Sequence, residues 1–211
     1  SARRISARQR ISARPVRVLL ALAAGGAVVA TTGGSAFAAS ATPSPSTTPA
    51  AVSASASDLG LFGVQDPTYD GVYRQSLAII ALVSDGVTPD AKAVNWLLSQ
   101  QCADGAFTAY RADPGVACTA KQEDENATAL AIQALTALGK STSTAITALK
   151  HFQLADGGFY DNTAFGAAVS DANSTGLALS AFAAAGVDPT SVTSNGKTGD
   201  DYLRSIQLAC S

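Results

Sequence analysis

Residues 124 to 135 read DENATALAIQAL, and 47 positions later residues 171 to 182 read DANSTGLALSAF. Each copy sets an acid, an asparagine and a threonine before a run rich in alanine and leucine. LAIIAL at 77–82 aligns with LAIQAL at 130–135 and LALSAF at 177–182, at offsets of 53 and 47. Between these runs, QCADGAF (101–107) and QLADGGF (153–159) repeat at an offset of 52, and QLAC (207–210) opens another copy. Self-similarity at a period close to 50 residues is the mark of a repeat architecture, in which each unit buries its apolar face against the next.

Each unit reads as two helices. The first, Asn126 to Leu138 in the middle copy, is apolar on every side, which predicts burial all round. Gly139-Lys140 ends it, as Gly86 and Gly186 end its sisters. The second helix, such as Asp90 to Ser99, is amphipathic. Val94, Leu97 and Leu98 share one face, with Asp90, Lys92, Asn95 and Ser99 on the other. No stretch alternates apolar with polar for long, so strands are not expected. The pattern predicts an all-α chain of three hairpins, roughly 72–101, 124–153 and 172–207, with an inner layer sheathed by an outer one.

The Gln101-Gly105-Phe107 and Gln153-Gly157-Phe159 stretches resemble the Q-W motif of terpene cyclases, with Phe in place of Trp. Over about residues 59 to 211 the chain resembles the prenyltransferase and squalene-cyclase repeat, the α/α-toroid superfamily. That resemblance implies an α/α toroid. It does not name an activity, because the superfamily also holds cobalamin carriers and thioester-containing complement domains. DENATA lies along the D-x-D-D-T-A motif of squalene-type cyclases, yet the proton-donating position falls on Asn126 and the last acid on Ala127. An amide cannot protonate an alkene; general acid chemistry needs a carboxyl held neutral by its surroundings. Protein prenyltransferases hold zinc with Asp, Cys and His, and no such set is evident here. The one histidine, His151, reads as a surface residue, and no Gly-Cys-Gly-Glu-Gln thioester is present. A closed toroid takes about five to seven hairpins, so the three here read as a fragment or as an arc that self-associates.

The first 57 residues read differently. Six arginines lie between residues 3 and 17, followed by VLLALAAGGAVVA at 18–30 and Ala36-Phe37-Ala38. A basic start, an apolar run and an A-x-A site predict a signal peptide over 1–38. Thirteen apolar residues are too few for a permanent transmembrane anchor. ASATPSPSTTPAAVSASAS at 39–57 reads as a flexible Ser/Thr/Pro/Ala-rich linker, which leaves residues 58–211 as the folded domain. The whole chain has 14 basic and 16 acidic residues. Losing the six leader arginines leaves 8 basic against 16 acidic, near −8, which argues against nucleic acid as a partner. Export also implies an oxidising setting, where Cys102 and Cys118 are the natural disulfide pair and Cys210 is left over.

D-x-N-x-T before an apolar run has two readings. Asp or Asn caps the first helical turn. Alternatively, Asp124, Asn126, Thr128, Asp171, Asn173 and Thr175 line a polar ligand site at one rim of the repeat. Tyr73, Arg74 and Gln75 occupy the matching place in the first hairpin, where an arginine beside an aromatic suits an anionic or planar ligand. Gln101 and Gln153 read as caps for neighbouring helices. Asn126-Ala-Thr128 and Asn173-Ser-Thr175 match a glycosylation sequon by chance. No catalytic residue, metal or cofactor is assigned. The expectation is an exported, extracellular module that binds a small molecule or protein, cobalamin-carrier-like by resemblance. The rivals are an isoprenoid-handling cyclase or prenyltransferase relative whose acid lies in repeats outside this chain, and a structural module at the cell surface.

Overall fold

The computed structural model describes residues 59–209. The leader, the linker and Cys210 lie outside the described residues. Within them the chain is mostly helical. Three inner helices, α1 (Gly71–Ser84), α3 (Glu125–Ala137) and α5 (Ala172–Ala184), alternate with three shorter outer ones, α2 (Ala91–Ser99), α4 (Ser143–Lys150) and α6 (Gly199–Ile206). Helix α3 packs between α1 and α5, and each outer helix lies against its own inner helix.

Burial follows from that order. Helix α3 has a neighbour on either side and buries Ala127 through Ile132, Ala134 and Leu135. Helices α1 and α5 each meet α3 on one flank only. Tyr73 and Leu77 are therefore exposed on α1, as are Ser180, Ala183 and Ala184 on α5. The all-round burial expected of all three inner helices holds for the central one alone. In α2 the buried residues are Ala93, Val94, Trp96 and Leu97, while Leu98 is exposed. The face is rotated from the expected one because Trp96 turns inward and stacks on Tyr110 at 6.4 Å.

Helix ends carry out the local chemistry that their sequences announce. Asp90, Asp124 and Asp171 each cap a helix through the side chain, accepting from Lys92 N, Ala127 N and Ser174 N. After α3, Gly139 N donates to Thr136 O and Lys140 N to Leu135 O at 2.9 Å each, and the same pair of bonds recurs after α1 and α5. These are Schellman endings, in which the αL residue satisfies the last carbonyls.

Two short ladders were not signalled by periodicity. β1 (Phe107–Thr108) pairs antiparallel with β2 (Glu123–Asp124), and β3 (Thr193–Ser194) pairs with β4 (Lys197–Thr198). Two residues are too few to show alternation. The second ladder turns at Asn195-Gly196, both at positive φ, the dipeptide that two-residue hairpins favour. Cys102 and Cys118 form the expected disulfide, with a Cα–Cα distance of 5.7 Å. None of the described helices is long and apolar enough to cross a membrane.

Candidate functional site

The repeated motifs meet at the N-terminal ends of the inner helices. Thr128 Oγ1 accepts from Phe107 N at 2.9 Å and donates to Asp124 O at 2.7 Å. Thr175 Oγ1 does the same with Phe159 N at 2.9 Å and Asp171 O at 2.7 Å. In the first unit Gln75 takes this place, its Oε1 accepting from Phe62 N at 3.1 Å and its Nε2 donating to Gly60 O and Ala93 O. A further stitch runs the other way, from Val72 N to Ala109 O and from Glu125 N to Asp161 O. The Gly105-x-Phe107 and Gly157-x-Phe159 loops are thus each sewn to two successive inner helices. Unit one starts at Gly60-Leu-Phe62, a copy without the glutamine and therefore hard to read in sequence.

Gln101 and Gln153 donate to Gly105 O and Gly157 O, both at 3.0 Å, so they close their own loops. The expected capping of neighbouring helices is not what they do, although Gln153 also reaches Val192 O at 3.3 Å. His151 is exposed at the end of α4, as expected of a surface residue.

The nine residues expected at a ligand rim therefore separate. Thr128, Thr175 and Gln75 are buried latches with backbone partners. Asp171 caps α5. Arg74 pairs with Asp70 at 3.0 Å on the surface and also donates to Gln65 O, and Tyr73 is partly exposed on α1. Asn173 Nδ2 donates to Asn126 Oδ1 at 3.4 Å, and Asn126 Nδ2 in turn donates to Asp161 Oδ1 at 3.0 Å. Asp124 lines a cavity of about 360 Å³, shared with Asp161, Asn162, Tyr69, Tyr110, Phe165 and others.

Sequence reading missed Asp161, Asn162 and Glu125, and these complete a cluster of acids. Asn162 Nδ2 donates to Asp161 Oδ2 at 2.9 Å and to Asp124 Oδ2 at 3.4 Å, so the two carboxyls share one amide. The two carboxyls face each other closely enough that each perturbs the other's titration. Burial first, and then the charge of Asp161, push Asp124 up to about 7, against the backbone bond from Ala127. Asp161 is raised as well, chiefly by burial and with Asp171 adding to it. Glu125, in the first turn of α3, is fully buried and neither oxygen has a hydrogen-bond partner. Burial, together with the charges of Asp124, Asp161 and Asp171, holds it well above the ordinary glutamate range. The helix N-terminus favours anions, but by about 1 kcal/mol at most outside favourable buried geometries, and desolvation outweighs it here.

Asp161 had a signal in sequence, though a faint one. It lies two residues beyond the motif phenylalanine, where the preceding copy has Ala109. The loop's carbonyl stitch fixes that position over the start of the previous inner helix, so a carboxylate placed there must face Asp124.

Elsewhere, Cys102, Asp104 and Glu123 bring possible ligand atoms within 4.8 Å of one another. The sulfur of Cys102 is spent in the disulfide, which leaves two carboxyls and no metal-ligand set. Burial and Asp104 raise Glu123. No family model, curated protein or solved structure matches the chain.

Proposed function

We propose that this chain is an exported α/α-hairpin-repeat domain that binds a small ligand in the cavity over Asp124 and Asp161. One observation carries the reading: two carboxyls joined through the Asn162 amide open onto a concave space walled by aromatic side chains. Convergent polar groups in a concave space with aromatic walls are a usual mark of a ligand site. A volume of about 360 Å³ lies at the small end of the range for such sites. It suits a compact ligand better than a whole cobalamin, so the carrier-like version narrows to small molecules. The recurring latch and stitch bonds support three units of a toroid-like wall, with this cavity at its N-terminal rim.

A second reading rests on the raised titration of Asp124. Asn126 cannot act as an acid, but Asp124 remains protonated up to about neutral pH. It could give its proton to an acceptor in the cavity, while the amides of Asn126 and Asn162 hold the resulting pair of carboxylates. That is the requirement for general acid catalysis. It moves the acid of an isoprenoid-handling enzyme into this chain.

Native mass spectrometry of the full chain after exposure to cobalamins and prenyl diphosphates separates the readings, with product analysis alongside. Retention of a prenyl compound that is lost in Asp161→Asn supports the cavity as a ligand site. Turnover that is lost in Asp124→Asn supports the acid. Retention unchanged in both variants places the ligand elsewhere and sinks both readings.

A further inference from the structure

The acids at this rim lack counter-charge. Asp124, Glu125, Asp161 and Asp171 act on one another electrostatically, yet the one ion pair among the described residues is Arg74–Asp70, away from them. Asp161, from the loop after α4, acts on Asp124, and Asp124 acts on Glu125 beside it; Asp171, the cap of α5, acts on Glu125 and Asp161, and Lys121 shares the cavity's lining. Lys121 makes no salt bridge to any of the acids. Glu125, next in the chain to Asp124 but outside the cavity's lining, adds to these uncompensated acids. It is a fully buried carboxyl with no partner, set among three others. Burying an unpaired ionisable group is costly, and a proton is the makeshift remedy the chain itself supplies.

The walls indicate what would neutralise the acids better. Tyr69 is 81 % exposed and Phe165 89 % exposed, and both line the cavity with Tyr110, whose ring is fixed on Trp96. Exposed aromatic faces lining the same cavity as two carboxyls attract a cation that also has an apolar body. A bare divalent ion would gain nothing from the rings. The acids also fail the closeness it would need, because the described residues meeting that test are Cys102, Asp104 and Glu123.

We propose that the cavity takes an organic cation, a quaternary or protonated amine with an apolar body. Its charge sits on Asp124 and Asp161, and its body lies against Tyr69, Tyr110 and Phe165. The inference rests on the ligand-binding reading above and names its ligand class. Binding favours the ionised carboxyls and so releases the proton that Asp124 holds up to about neutral pH. Affinity therefore weakens about tenfold for each pH unit below the titration of the pair and levels off above it. Lys121 opposes the ligand.

The test titrates the full chain with choline and with 3,3-dimethylbutan-1-ol, its neutral isostere, by ligand-observed NMR across the acid-to-neutral range. The expected result is choline binding that strengthens with pH and little binding of the alcohol. Asp161→Asn should weaken choline at least tenfold and flatten the pH dependence, and Lys121→Gln should strengthen it several-fold. Circular dichroism confirms that both variants fold. Equal binding of choline and the alcohol would overturn the cationic class while leaving the ligand site standing. Binding of neither, with prenyl compounds also not retained, would overturn both. Calcium binding that excludes choline would assign the acids to an inorganic ion and overturn the proposal.

Discussion

Asparagine in place of Asp124 would show directly whether a buried proton is held at this rim. The substitution leaves the cap in place, since Asn caps a helix about as well as Asp. An ordinary aspartate titrates near 3.8 and Asp124 at about 7. Below both values, the folded and unfolded chains each carry the proton and the group contributes nothing to the pH dependence. Between them the unfolded chain has lost the proton and the folded chain keeps it, so stability falls as pH rises. Above about 7 the penalty is constant. At about 1.4 kcal/mol per pH unit, the gap of about three units amounts to roughly 4 kcal/mol, less whatever the coupled Asp161 takes over. Asp124→Asn should therefore equal wild type near pH 4 and exceed it by a few kcal/mol near pH 8. Urea denaturation followed by circular dichroism, with the disulfide kept intact, reads the difference at each pH. A gap that stays constant across that range would refute the raised titration of Asp124, and with it the acid reading of the cavity.

The loop glycines give a second prediction. A Cβ at Gly105, at φ +104°, would meet Thr144 C and O at 2.6 Å, whereas one at Gly139, at φ +67°, has no atom within 4 Å. Gly139→Ala should cost about 1 kcal/mol for its backbone conformation alone, and Gly105→Ala about 2 to 5 kcal/mol with the overlap added. Equal costs by denaturant titration would mean that the loop does not press on α4. A third concerns the disulfide, which spans a separation of 16 residues. Replacing Cys102 and Cys118 by serine should cost about 3 kcal/mol, lowering Tm by roughly 6 to 12 °C at the usual 2 to 4 °C per kcal/mol. An unchanged Tm would place the loop's restraint in Arg111, which donates to four backbone carbonyls from Ser99 to Val116.

Why some of this was legible in the sequence and some was not is a matter of range. Helix content, the Schellman glycines, the aspartate caps and the disulfide each rest on residues that are near in sequence or restricted in pairing, and all were readable. Burial of α3 on every side was readable too, because a helix with a neighbour on both flanks has the composition that says so. The exposure of Leu77 on α1 was not. Its sequence, LAIIAL, is as apolar as LAIQAL, and only the order of packing makes one side of it open. Gln75 was misread for a similar reason. It stands where the other copies have threonine, and a longer side chain spans the same gap to Phe62 N, so the equivalence is one of reach and not of residue type.

The acid pair shows the same limit at the site itself. Read along the chain, the D-x-D-D comparison asks one segment to hold both carboxyls, and there Asn126 and Ala127 fail it. In space, the second carboxyl comes from Asp161, a loop residue 35 positions beyond Asn126 and hydrogen-bonded to it. Its place is fixed by a backbone bond, Glu125 N to Asp161 O at 2.8 Å, that is indifferent to the side chain; Ala109 makes the equivalent bond to Val72 N at 2.9 Å. A stitch of that kind leaves the side chain at the crossing free to vary. One copy can then carry alanine for packing while the other carries a carboxylate for chemistry, with no change in the fold. Asp161→Ala should accordingly keep the stitch and the helices while releasing Asp124 to titrate lower. Asn126→Ala should leave the raised titration of Asp124 largely in place, because burial is its first cause.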